Sequence, residues 1–193
     1  MNLYRVGSDN KASNALPVDE ATLESRLEDI LELNPDLVLG RKLLVIGRQI
    51  LTDTGKRLDL VALDASGRIV VAELKRGYAP REVIAQVIDY AVWLDGLSDK
   101  QLEAIYRGYA SDHSGGAKSL HQAFEQRFET TFERNADDQV LLVLFAKEFP
   151  PEVSRAATFL SERGVSLLCI SFEMFKAEQG EKHAGDKRNS WDS

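Results

Sequence analysis

The stretch RLDLVALDASGRIVVAELKRG, residues 57–77, leaves this chain few folds to choose from. Two apolar runs, RLDLVALD and RIVVAELK, are joined by the turn-forming DASG, the pattern of a β-hairpin. Both faces of each run are apolar apart from Asp59, Glu73 and Lys75, as expected of inner strands. An ionised carboxylate among Val and Leu is costly unless a partner or a metal compensates it. A chain with this segment must therefore build a sheet around charge, and the charge needs a reason.

Register decides what those charges do. Glu73 and Lys75 are two apart and share one side of their strand. DASG suits a three-residue loop, a type I turn with Gly67 in the left-handed conformation. Asp64 then pairs with Arg68, and counting back along both strands puts Asp59 opposite Glu73. A four-residue loop would shift the pairing by one and separate the two acids. Facing carboxylates repel across a strand pair, and a divalent cation between them reverses that sign. Two carboxylates, a backbone carbonyl and water make a hard oxygen site, suited to Mg²⁺ or Mn²⁺ rather than zinc. His113, His121 and His183 are scattered without metal-ligand spacing. Lys75 beside the acids would stand near an attacking water and a scissile phosphate. The competing reading makes Asp59 an edge-strand surface residue and Glu73 with Lys75 an exposed pair.

The rest of the chain frames this hairpin. PVDEATLESRLEDILELNPD predicts a helix with Leu23, Leu27, Ile30 and Leu31 on one face, Asp19 as its cap and Pro35 as its stop. KLLVIGRQILT predicts a strand, so that three strands form a meander. Residues 79–95 predict an apolar-faced helix with Pro80 in its first turn, and two more helical segments follow at about 99–109 and 117–133. QVLLVLFA and VSLLCISF predict strands, and the helix PPEVSRAATFLSERG between them makes a crossover, which requires parallel strands expected to be buried on both faces. The predicted architecture is an α/β three-layer sandwich, a central mixed sheet flanked by helices. Residues 1–17 are expected to be a short polar lead, 18–175 one domain with a helical insert at about 98–134, and 176–193 a disordered polar tail.

Composition narrows the setting. The 193 residues carry a net charge of −7, which argues against a uniformly basic nucleic-acid coat. Between Leu37 and Arg81, however, nine Lys or Arg stand against four acids, a local basic excess compatible with phosphate contact. There is one cysteine, so no disulfide framework is possible, and Cys169 in its apolar run is expected to be a core residue. No apolar run is long enough to span a membrane, and the first residues lack a secretory pattern, so a cytoplasmic protein is expected.

Asp59, then Glu73-Leu74-Lys75, then Gln86 and Tyr90 four apart in the following helix, resemble the PD-(D/E)xK nuclease superfamily. More narrowly, GKRLDLVALDASGRIVVAELKRG with AQVIDYAVWL, the Glu24-x-x-Leu27 helix ending in Asn34-Pro35, VIGRQ, and Asn135 before an apolar strand are similar to the catalytic domain of NucS-like endonucleases. The resemblance covers roughly residues 20–175 and implies a restriction-endonuclease-like fold and divalent-metal-dependent cleavage of DNA; the substrate preference of the larger enzymes does not carry over, and branched, mismatched and single-stranded DNA are the expected candidates. It implies that Asp59 and Glu73 hold Mg²⁺ or Mn²⁺ with the Leu74 carbonyl, that Lys75 orients or activates the water, and that Glu24 completes the acidic cluster. Gln86 and Tyr90 would support the site or the nucleic-acid strand, and Arg57 would meet phosphate or sit at an ordinary surface. NucS-like enzymes carry an N-terminal module for DNA binding and oligomerisation, whereas about 20 residues precede the matching region here. A homodimer is among the expected assemblies. Other chemistries lack their residues: the Gly-Lys of DTGKR has Ile50 where a phosphate-binding loop needs glycine, and no G-x-S-x-G elbow occurs. A catalytically silent module binding nucleic acid or protein on the same fold is the alternative.

Overall fold

The computed structural model describes residues 4–6, 12–14, 24–113, 119–134 and 140–172. Its centre is a five-stranded sheet, β3 (Leu43–Leu51), β4 (Arg57–Asp64), β5 (Ile69–Tyr78), β6 (Leu141–Glu148) and β7 (Leu167–Ser171), hydrogen-bonded in that order. A separate two-stranded antiparallel pair, β1 (Tyr4–Val6) and β2 (Ala12–Asn14), lies in the segment expected to be a plain lead. Three-residue strands are too short to leave an alternation in the sequence.

The sheet is mixed, as expected. β3, β4 and β5 form an antiparallel meander, and β5, β6 and β7 run parallel. The β4–β5 turn has the three-residue geometry: Gly67 has φ of 78°, its N–H donates to the Asp64 carbonyl at 3.0 Å, and the Asp64 N–H donates to Arg68 at 3.1 Å. Glycine takes this left-handed conformation without a Cβ penalty. The Asp64 carboxylate fastens the loop by accepting from the Ser66 N–H and hydroxyl.

Helices cover both faces. On one lie α1 (Glu24–Leu33) and the one-turn α2 (Asp36–Leu39), with Leu27, Leu31 and Val38 packed on Leu60, Ala62, Val70, Ala72 and Leu74. On the other lie α3 (Val83–Asp95), α4 (Asp99–His113), α5 (Leu120–Phe128) and α6 (Pro151–Ser161), with Val83, Val87, Leu94, Leu102, Phe124 and Val153 packed on Val61, Val71, Leu142 and Leu144. Pro35 ends α1 as expected but also opens α2, an element absent from the sequence reading. α5 is shorter than predicted. Ser119 opens it with a reciprocal capping box, and Glu129 closes it in the left-handed conformation.

The described residues between 98 and 134 belong to the same core. Leu102, Tyr106, Leu120 and Phe124 are buried in it, and Phe124 packs against the rings of Phe128 and Phe132. Arg127 ties α5 to the rest, donating to the Leu43 carbonyl at 2.9 Å and to the Asp36 carboxylate. Arg134 donates to the carbonyls of Leu94, Asp95 and Leu97, closing the end of α3.

Two expectations fail at β7. The crossover requires parallel strands but not equal burial, and β7 is the edge of the sheet, with only Leu167 buried. Cys169 is consequently exposed and is not a core residue. Asn135, Asp19 and the tail from Lys176 lie outside the described residues, and among the described residues no helix is long and apolar enough to cross a membrane.

Candidate active site

The site begins where the β4–β5 ladder stops. The pairs run Leu63↔Ile69, Ala62↔Val70, Val61↔Val71 and Leu60↔Ala72, so the next rung sets Asp59 opposite Glu73, as the three-residue turn requires. In this register the Asp64–Arg68 rung is a hydrogen-bonded one, and alternation makes Leu58–Leu74 another. That rung is not formed. Instead the Leu74 N–H donates to Asp59 Oδ2 at 2.7 Å. A side-chain carboxylate thus replaces a backbone carbonyl and parts the two strands. In a hydrogen-bonded position the N–H and C=O of one residue face the same neighbour, so the Leu74 carbonyl also looks toward β4.

Asp59 is 7% exposed and Glu73 1%, and the two carboxyl groups are close enough for the charge of one to act on the other. Lys75 Nζ donates to Glu73 Oε1 at 2.5 Å, while no donor among the described residues reaches Glu73 Oε2. Burial pushes the Glu73 carboxyl up to about 8; the charge of Asp59 adds to that rise and Lys75 opposes it. Lys75 alone therefore does not balance the pair. Its side chain, 22% exposed, reaches from the buried acids toward solvent.

The second oxygen of Asp59 leads to residues to which the sequence reading assigned no role. Gln49 Nε2 donates both to Asp59 Oδ1 at 3.0 Å and to Glu28 Oε1 at 2.9 Å, linking β4 to α1. Gln49 has φ of 50°, the left-handed region, beside a register shift in β3 at Val45/Gly47. A non-glycine residue held there is strained. Glu28, 6% exposed, also accepts from Arg48 Nε at 3.1 Å, and Arg48 Nη1 lies 2.6 Å from both Asp29 and Glu32. The signal in the sequence was an Arg-Gln pair inside an apolar strand.

The other expected residues fall as follows. Glu24 opens α1, its side chain outside the described residues, one turn before Glu28. Tyr90, 1% exposed, donates its hydroxyl to the Arg57 carbonyl at 2.6 Å and accepts from Gln86 Nε2 at 2.7 Å. The pair braces the start of β4 two residues before Asp59, which places Tyr90 in the interior and not on a nucleic-acid surface. Arg57 is exposed and donates to the Gln49 carbonyl at 3.3 Å. The local basic excess is partly spent on ion pairs: Arg41 with Asp64, Arg48 with the α1 acids, and Lys56 with Asp89.

The donor set suits a hard cation: two facing carboxylates, an unpartnered carboxylate oxygen and a peptide carbonyl at one strand end. Among the described residues, no group of three or more His, Cys, Asp or Glu is placed to hold an ion by itself. Such a cation would rest on two acids and the backbone, with water completing its shell.

No protein-family model and no curated protein matches the chain. Among solved structures it is similar to a repair endonuclease from Pyrococcus abyssi, at 18% identity and a TM-score of 0.46, over 80% of this chain and 49% of that one. It is also similar to EndoMS in an EndoMS–dsDNA2 complex, at 18% identity and 0.45, over 83% and 50% of the two chains. For EndoMS in its apo form the values are 18% and 0.44, over 84% and 50%. The chain spans about half the length of each.

Proposed function

We propose that the chain is a divalent-metal-dependent endonuclease that hydrolyses phosphodiester bonds in DNA. One observation carries the reading: the buried Asp59 and Glu73 carboxylates face each other next to the Lys75 amine, with Glu73 Oε2 unpartnered. A structural ion pair needs one acid and one base, and here a second acid is buried beside the first, a cost that a proton on Glu73 relieves in the free protein and a bound cation would relieve in its place. The order Asp59, Glu73-Leu74-Lys75, Gln86, Tyr90 in the sequence supports the same reading.

In this reading Asp59, Glu73 and the Leu74 carbonyl hold Mg²⁺ or Mn²⁺. When bound, the cation supplies Lewis acidity at the phosphate and lowers the pKa of a bound water. Lys75 holds the attacking water by hydrogen bond and offsets negative charge growing on the phosphate. The Leu74 N–H and Gln49 fix both oxygens of Asp59, and Glu73 is fixed by Lys75 and burial, so little reorganisation is left to the reaction. Tyr90 and Gln86 hold the strand that carries Asp59. Arg57, exposed beside it, takes a backbone phosphate.

The test is nicking of single-stranded, branched and mismatched DNA in Mg²⁺ or Mn²⁺, with Glu73→Ala and Lys75→Ala alongside. Wild type is expected to cleave and both variants to lose at least about 100-fold, the scale of a transition-state contact. The net charge of −7 favours one rival, a silent module with a protein or nucleic-acid partner. Equal inertness of all three proteins, with binding retained, would establish that rival.

A further inference from the structure

A third buried carboxylate, Glu28, approaches the paired acids from α1, and one amide stands between. In the β3–β4 register Gln49 falls between the pairs Arg48↔Leu60 and Ile50↔Leu58, which sets it beside Asp59. Its Nε2 lies 3.0 Å from Asp59 Oδ1 and 2.9 Å from Glu28 Oε1. Both acceptors are carboxylate oxygens, so the nitrogen of the amide must face them, and its two N–H groups are both used. The Glu28 carboxylate is satisfied from within the chain, because its other oxygen accepts from Arg48 Nε at 3.1 Å. Glu73 is the contrast, with Oε2 unpartnered.

The amide fills the place that a cation bridging Glu28 and Asp59 would take. Such an Mg²⁺ would stand ~2.1 Å from each oxygen. An NH₂ group at hydrogen-bond distance from both occupies that volume and turns its positive hydrogens toward the oxygens. Displacing it gives up two hydrogen bonds to ionised acceptors, which are roughly twice as strong as neutral ones. Gln49 holds this place from a left-handed backbone, φ of 50°, a strain that persists only where the surroundings over-determine it. Glu28, Asp59 and Glu73 are all buried, yet among the described residues no three such groups are placed to share an ion.

We infer that Gln49 limits the metal centre to one cation, by holding a neutral donor where a second would bind between Asp59 and Glu28. This rests on the cation proposed at Asp59 and Glu73, and adds how many ions the centre takes and which residue sets that number. In two-metal sites the ions stand ~3.5–4 Å apart. Asp59 is the acid placed to be shared between two ions, and its oxygen on the Glu28 side is taken by the amide. Glu28 is then a positioning residue, acting on Asp59 through Gln49 and not on an ion. The positive charge beside the single ion comes from Lys75.

The experiment counts Mn²⁺ bound per chain, by isothermal titration and by electron paramagnetic resonance of the free ion. It uses metal-stripped protein at physiological ionic strength, which screens surface acids, with melting curves for each variant. Gln49→Ala would vacate the gap but also release Asp59. Gln49→Glu instead keeps the side chain's length and puts a third carboxylate in the gap. Wild type is expected to bind one Mn²⁺, Gln49→Glu two, and Gln49→Glu combined with Glu28→Gln one again. Two ions in wild type, or one in a folded Gln49→Glu, overturn the inference, and the wild-type count stands even where the variant does not fold. A second ion in Gln49→Glu that persists after Glu28→Gln also overturns it, since that ion binds elsewhere. No Mn²⁺ in wild type removes the cation itself, and with it the metal reading of the site, a result distinct from the others.

Discussion

Gln49 shows how much of this site lies outside the acids themselves. Its left-handed backbone costs about 1–3 kcal/mol, and its one amide nitrogen serves two carboxylates on different elements. Outer partners of metal ligands commonly control affinity by about 10- to 100-fold. Gln49→Ala is therefore expected to weaken Mn²⁺ binding, read by isothermal titration, at least about tenfold while the fold survives; unchanged affinity would show that Leu74 alone orients Asp59. Glu73 yields a prediction in pH. Its carboxyl, pushed by burial from 4.5 up to about 8, holds a proton in the folded state that the unfolded chain has released. The associated stability is fully present below about pH 4.5 and is lost as pH rises through 8. Glu73→Gln carries no such loss. In the metal-free protein it should melt near wild type at pH 5 and above it at pH 8, and a gap that does not widen between the two would contradict the burial of that charge.

At the next level the hairpin does the positioning. Gly67 sets a three-residue turn, and the turn sets the register that makes Asp59 face Glu73. Gly67→Ala should cost about 1–2 kcal/mol, since a Cβ at φ of 78° is disfavoured, measured by urea unfolding. This much was legible in the sequence because local chemistry fixes it: turn residues, alternation, and apolar runs on both sides of a charge. Gln49 was not legible, because its role depends on a bulge in β3 and on α1 arriving from another layer. Cys169 was misjudged for another reason: an apolar run looks alike in a central strand and in an edge strand, and only the sheet order tells them apart.

Across the whole molecule, the described residues of the segment at 98–134 are part of the core despite its separate appearance in the sequence. Phe124, 1% exposed and packed on two other rings, should cost about 3–5 kcal/mol on replacement by Ala. Nucleic-acid affinity should depend only mildly on salt. Arg41, Arg48, Lys56 and Lys75 are engaged with acids, and Lys42, Arg57, Arg76 and Arg81 are also exposed near the hairpin. About four phosphate contacts imply a slope of about −3 in log affinity against log salt for a single strand. A slope several times steeper would mean that a basic surface elsewhere carries the binding.

The carboxylate that parts β4 from β5 has one more implication. Because Asp59 closes the sheet where a peptide group ordinarily would, deleting its side chain opens a seam in the scaffold as well as removing one of the two acids proposed to hold the cation. A protein silenced yet intact is better sought as Asp59→Asn, whose amide oxygen still accepts from Leu74. Under the proposed function, any descendant of this chain that gave up cleavage but stayed folded would be expected to have drifted by that same conservative door.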